Sequence, residues 1–155
     1  MVTVTPEARR RVQAEWPTGE AAERLAGRLY ERLLAIDPTC ARLFAGTDMA
    51  AQRRKVAEVL AWVVSVLDAP ERLVPAAAAL GRRHAAYGVT ARHYALLGEA
   101  FRDALAESLG PRYTPEVAAA WAEAYTLLAG VMLRAAERNG ERTAQSAERR
   151  ASVAL

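Results

Sequence analysis

Few side chains in this chain could do chemistry unaided. It has two histidines, His84 and His93, and one cysteine, Cys40. It contains no His-x-x-x-His pair and no glycine-rich phosphate loop; Leu80-Gly81 and Tyr87-Gly88 sit at helix-end spacings instead. A nucleophile–base–orienter triad would have to use one of the two histidines, and no strained nucleophile turn accompanies either. Any activity therefore points to a bound cofactor. His84 shares a helical face with Leu73, Ala77 and Leu80. On these residues alone it is either a metal ligand or a satisfied core histidine, and the second is the commoner case. Gln52 sits on a separate amphipathic stretch, with Val56 one turn beyond it on the same face.

Helices must position these groups. Ala, Leu, Arg and Glu dominate, and β-branched runs are scarce. Thr5-Pro6-Glu7 opens a first helix that runs to about Trp16, and Pro17-Thr18-Gly19 breaks it. A second carries Ala22, Leu25, Leu29, Leu33 and Ile36 on one stripe, flanked by Ala26, Tyr30 and Leu34. Asp37-Pro38 ends it and starts a short helix reaching Leu43-Phe44. After Gly46, with Thr47 or Asp48 as cap, comes the helix of Gln52, Val56, Leu60, Val63, Val64 and Leu67. Ala69-Pro70-Glu71 opens the helix of His84, and Gly88 stops it. Thr90 caps the next, with Tyr94, Leu97, Phe101, Leu105 and Leu109 on its stripe. Gly110-Pro111 closes that one. Thr114-Pro115-Glu116 opens the last, which carries Val117, Trp121, Ala124, Leu128 and Met132 and fades near Asn139-Gly140. Seven or eight helices with short connections define an all-α domain.

The 155 residues suffice for one domain with a substantial core. Hydrophobic residues make up 52%, which excludes a disordered chain. The formal charge is +3, and Lys55 is the only lysine. The charges are spread along the helices and not gathered in one block, which argues for solvated faces over a nucleic-acid footprint. One thiol permits no intrachain disulfide, and as a buried small hydrophobe it fits a reducing cytoplasm. The longest apolar run, Leu73 to Leu80, contains Pro75 and is too short to span a bilayer. No signal-peptide core lies in Met1 to Arg11.

Leu29-Tyr30-Glu31-Arg32-Leu33-Leu34 with Asp37-Pro38, Ala41-Arg42-Leu43-Phe44, Leu80 to Val89, Leu96-Leu97-Gly98-Glu99 and Ala120-Trp121-Ala122-Glu123-Ala124-Tyr125 follow one another in a familiar order. On these motifs the chain resembles the globin family, specifically single-domain bacterial haemoglobins and the globin domain of flavohaemoglobins, over about Gly27 to Arg134. The resemblance implies a globin fold around haem b, in a domain of residues 1–140; residues 141–155, polar and arginine-rich without an apolar stripe, read as a flexible tail. It makes His84 the proximal iron ligand and Gln52 the distal residue. The two lie 32 positions apart, as in the bacterial haemoglobins. Tyr30 matches the tyrosine whose hydroxyl enters the distal cavity, and Phe44 the phenylalanine that lies flat on the porphyrin. Val56 walls the distal side, and Leu80, Val89, Tyr94 and Leu97 complete the cofactor pocket. His93 is the rival ligand, but the family uses the first histidine, before Gly88-Val89. Lys55 either reaches a haem propionate or faces solvent.

Tyr30 and Gln52 both donate hydrogen bonds, and neither coordinates iron strongly as a neutral group. The resemblance therefore implies an iron position open to O2, CO or NO, and reversible oxygen binding or delivery. Nitric oxide dioxygenation with a separate reductase is the enzymatic alternative, and a gas sensor or interaction domain is a third. A homodimer stays open. In flavohaemoglobins a tyrosine and a glutamate support the proximal histidine. Tyr94 matches the tyrosine, but the position eleven residues after Tyr125 is Ala136, with Glu137 next to it. One residue of offset turns a helical side chain by about 100°, which argues against a full proximal triad. The loop from Phe44 to Gln52 is also slightly shorter than in the bacterial haemoglobins.

Overall fold

A computed structural model describes residues 3–153. Among them lie six α-helices: α1 (Pro6–Glu15), α2 (Glu20–Ile36), α3 (Met49–Ser65), α4 (Pro70–Ala86), α5 (Ala91–Leu109) and α6 (Pro115–Val153). Two 3-10 segments, Pro38–Phe44 and Gly110–Arg112, join α2 to α3 and α5 to α6. The expected punctuation operates locally. Thr5 accepts from the Ala8 N–H with Pro6 behind it, and Asp48 accepts from the amides of Ala50 and Ala51. Each cap satisfies donors that a helix start otherwise leaves orphaned.

Four helix pairs hold the fold together: α4 on α6, α2 on α5, α1 on α6 and α2 on α3. Their shared core includes Val12, Leu25, Val66 and Leu105, all fully buried. Trp121 sits at its centre, 5.6 Å from the ring of Trp16 and 5.7 Å from that of Phe101. Burying side chains of this size supplies about 1.5–3 kcal/mol each. α3 and α4 form no packed pair with each other. One leans on α2 and the other on α6, so the two helices that carry Gln52 and His84 are held by different partners.

Two readings change. The last helix does not fade at Gly140 but runs on to Val153; residues 154 and 155 of the expected tail lie outside the described residues. No apolar stripe requires the extension, and residues 139–151 are exposed. Local propensity sustains it: Glu, Arg, Ala and Gln are strong helix formers, and a single Gly costs only about 1 kcal/mol. Thr143 Oγ1 donates to the Asn139 carbonyl at 2.9 Å, across Gly140. Secondly, α6 is long and apolar enough by composition to cross a membrane, which the short apolar run did not suggest. It instead packs on α1 and α4, with Trp121, Val131 and Met132 buried.

Candidate haem site

The proximal side is built on α4. Gly81 is no helix end, as its spacing had suggested, but lies inside this helix, buried against α6. A Cβ there would fall 2.3 Å from the Met132 carbonyl oxygen and 2.6 Å from its Cα. Only glycine permits a crossing this close, and it fixes the final turn of α4, which carries His84. The His84 Nδ1 lies 2.8 Å from the Leu80 carbonyl oxygen, one turn back. Since a carbonyl can only accept, Nδ1 carries the proton. Nε2 keeps its lone pair and makes no hydrogen bond among the described residues. Partial burial pushes the imidazole pKa down, and the Leu80 bond only partly opposes this. His84 is therefore neutral at pH 7, the form that binds a metal.

His93 is placed differently. Its Nδ1 accepts the Thr90 backbone N–H at 2.9 Å and lies 3.2 Å from the Thr90 hydroxyl, so it closes the start of α5. Tyr94 is buried, and its hydroxyl has no hydrogen-bond partner. Burial raises its pKa. The Tyr94 carbonyl accepts the Tyr125 hydroxyl at 2.5 Å. Gly98 makes room for that ring, since a Cβ there would lie 2.8 Å from Tyr125 Cε1. Tyr125 and Gly98 therefore position Tyr94. Composition and apolar stripes do not reveal this role, although Tyr94 and Gly98, four apart on one helix face, are the available signal. Glu137 is exposed and Ala136 half-buried.

The distal side is built by α2 and α3. Gln52 Nε2 donates to the Tyr30 hydroxyl oxygen at 3.2 Å. The phenol proton then remains available to donate elsewhere. Burial raises the Tyr30 pKa, partly offset by the Gln52 bond, so the O–H stays protonated. Phe44 meets the Tyr30 ring edge-on, with centroids 5.2 Å apart and planes at 73°. Phe44, Val56, Leu80, Val89 and Leu97 pack against the core while only half-buried. Lys55 is exposed. A surface cavity of about 370 Å³ lies elsewhere, lined by Thr3, Ala122, Glu123, Thr126, Leu127 and Arg134.

These residues fit haem. The donor set offers one neutral imidazole nitrogen on α4, an unpartnered buried phenol at Tyr94 on α5, and apolar side chains at Phe44, Val56, Leu80, Val89 and Leu97 that are only half-covered by protein. Among the described residues there is no competing cluster of His, Cys, Asp and Glu able to hold a bare metal ion.

Comparison with known proteins agrees. The globin family model matches residues 27–132. The chain is 32% identical over 133 residues to a flavohemoprotein of Bordetella parapertussis, covering 84% of this chain and 33% of that one. It is 32% identical over 126 residues to neuroglobin of Danio rerio, covering 73% and 79% of the two chains. Among solved structures, an engineered carbene transferase made from a candidate nitric oxide dioxygenase of Rhodothermus marinus superposes with a TM-score of 0.79. It has 29% identity over 92% of this chain and 99% of that one. The chain thus spans only about a third of the flavohemoproteins it matches. Fold, donor set and comparisons together make this chain a member of the globin family. Haem binding is the coarse function that this membership carries.

Proposed function

We propose that this chain holds haem b between α3 and α4 through His84 and reversibly binds a diatomic gas, O2 with CO and NO as alternatives. The observation that carries the reading is the Gln52–Tyr30 hydrogen bond, a polar pair among otherwise apolar side chains. When bound, the cofactor supplies a ferrous iron, and the gas gains partial negative charge there. Tyr30 donates its free proton toward that charge. Gln52 fixes the phenol rotamer and has a second amide proton to offer. Leu80 sets the His84 tautomer through its carbonyl and orients the ring. Lys55, exposed on the turn after Gln52, serves a haem propionate. The single thiol of Cys40, buried and with its pKa raised by burial, suits a reducing cytoplasm.

Visible spectra of the ferric, ferrous and CO-bound protein test this reading. A Soret band with a histidine-ligated ferrous spectrum and reversible O2 binding is expected. Haem reconstitution with no Soret band would leave a globin fold used for interaction alone.

Similarity to flavohemoproteins favours one further reading, nitric oxide dioxygenation. One NO and one O2 take up one electron to give one nitrate, so turnover needs an electron donor. Sustained NO consumption in the presence of a reductant supports this reading; consumption limited to one equivalent per haem supports carriage only.

A further inference from the structure

Three buried side-chain polar atoms make no hydrogen bond among the described residues: Glu15 Oε2, the Tyr94 hydroxyl and Trp121 Nε1. Native chains leave few such groups without a reason. Glu15 Oε2 has the Arg112 guanidinium 3.4 Å away, and Tyr94 belongs to the candidate haem site. Trp121 has neither explanation. Its indole N–H can only donate, and its ring is buried beside those of Trp16 and Phe101. Gas binding makes no use of this donor.

Trp121 also lines a crevice of about 60 Å³ between α5 and α6. Phe101 and Leu105 of α5 and the Tyr125 ring of α6 supply its apolar walls. Arg102 lies on its lining and is exposed. The Arg102 charge reaches Tyr125 and Tyr113, and it enters no ion pair among the described residues. The Tyr125 hydroxyl is committed to the Tyr94 carbonyl. Among the described residues no carboxylate lines the crevice. Glu123 lies in the adjoining larger hollow, where the Thr5 backbone N–H and hydroxyl both donate to it. The crevice thus combines two donors, one of them charged, with apolar walls and no competing anion. Its chemical complement is an anion with a short apolar body.

We propose that the α5–α6 crevice binds a short-chain monocarboxylate of about the size of propionate. A single water needs roughly 10–15 Å³ of such space, so the crevice admits about four small groups and no larger metabolite. The carboxylate accepts from the Trp121 N–H and the Arg102 guanidinium, which its two oxygens can serve together. The alkyl chain rests on Phe101 and Leu105. The Trp121 N–H is sealed from solvent, so entry of the ligand turns the indole slightly about its side-chain bonds. An alkylammonium ion of the same size would meet the Arg102 charge and leave the indole unpaired. The site uses neither haem nor gas and goes beyond the function proposed above. Its wall includes Tyr125, which positions Tyr94, so an occupant rests against a residue linked to the candidate haem site.

Sodium propionate is the probe, titrated at low salt into the haem-loaded chain held ferrous under CO, a diamagnetic form. Proton–nitrogen correlation spectra follow the indole N–H resonances of the three tryptophans, and calorimetry gives the affinity. A dissociation constant on the order of 1 mM is expected for so small a ligand. The Trp121 resonance, identified by its loss in Trp121→Phe, should shift most. Arg102→Gln should weaken binding about fivefold, and Trp121→Phe roughly tenfold. Ala122→Leu, at an exposed position on the lining, should crowd the crevice and abolish binding. If Trp121→Phe fails to fold, the Arg102 and Ala122 variants still decide. Arg134→Gln, in the adjoining hollow, should change nothing, and propylammonium should not bind. Indole resonances that stay still, or an affinity unchanged in Arg102→Gln, would overturn the proposal. So would binding lost in Arg134→Gln instead, or propylammonium bound as well as propionate. Failure to take up haem would count against the function proposed above, while the same titration of the haem-free chain would still decide the crevice.

Discussion

Gln52 gives its amide proton to the Tyr30 hydroxyl oxygen, across the contact between α3 and α2, at 3.2 Å. The direction of this bond matters more than its length. A tyrosine that accepts from one neighbour keeps its own proton for another, and the raised pKa keeps that proton in place. Removing it should accelerate gas loss. Tyr30→Phe should raise the O2 dissociation rate at least about tenfold, the scale of one hydrogen bond to a charged acceptor. Gln52→Leu should raise it less, since Tyr30 remains. Stopped-flow displacement of O2 by CO measures both, and an unchanged rate in Tyr30→Phe would remove Tyr30 from the account.

The two histidines should separate cleanly. His84→Ala should abolish the histidine-ligated ferrous spectrum, and imidazole added from solution should restore part of it. His93→Ala should keep the spectrum and lower thermal stability by about 1 kcal/mol, the value of a helix cap. If only His93→Ala lost the spectrum, the ligand assignment would fail.

Gly81→Ala tests the α4–α6 crossing. The added Cβ meets the Met132 backbone, which has no side-chain freedom with which to yield. A loss of about 1–3 kcal/mol in urea unfolding is expected, together with weakened haem retention, because the displaced helix carries His84. Leu80→Ala changes the same helix without a clash and should retain haem better.

Asp37 provides a pH signature. Its carboxylate accepts the Thr39 hydroxyl at 2.6 Å and the Thr39 N–H at 2.9 Å, and Arg92 bonds it at 2.7 Å. These bonds, Thr39 foremost, hold its pKa down to about 2. A carboxylate depressed on folding adds stability above its unfolded pKa, near 4, and loses it as pH falls through about 2. Asp37→Asn should thus be less stable than the parent at pH 7, and the gap should close between pH 4 and pH 2 in urea titrations. A gap independent of pH would mean that the ion pair contributes nothing.

How much of this was legible beforehand depends on what kind of force sets each feature. Helix starts at Thr5-Pro6, Asp48 and Thr114-Pro115 are local chemistry, and the structure has them where the letters put them. The extension of α6 past Gly140 is not legible from apolar stripes, because helix propensity sustains it without a buried face. The role of Gly81 is hidden for a different reason. Its letter beside Leu80 looks like punctuation, and only the position of Met132 on a distant helix shows that a backbone contact is at stake. Within the candidate site, Tyr30 and Gln52 meet directly and His84 has its orienting carbonyl, while Glu137 stays outside. The offset between Ala136 and Glu137 had indicated this by helical angle alone.

The exposed end of α6 yields a simple prediction. Truncation after Gly140 removes residues of which 141–151 are all exposed. It should leave haem uptake and O2 release unchanged, with thermal stability within about 0.5 kcal/mol, as for surface changes in general.

One feature of the architecture reaches further. The two helices that carry Gln52 and His84 belong to different scaffolds, α3 to α2 and α4 to α6, and do not brace each other. A cofactor gripped by both is then the keystone of the arch as well as its reactive centre. A ligand that binds only the folded chain stabilises it by mass action, by about 4 kcal/mol at a thousand times its dissociation constant. Cellular haem supply would then govern the lifetime of the polypeptide, since a newly made chain without cofactor lacks this contribution to stability and unfolds more often.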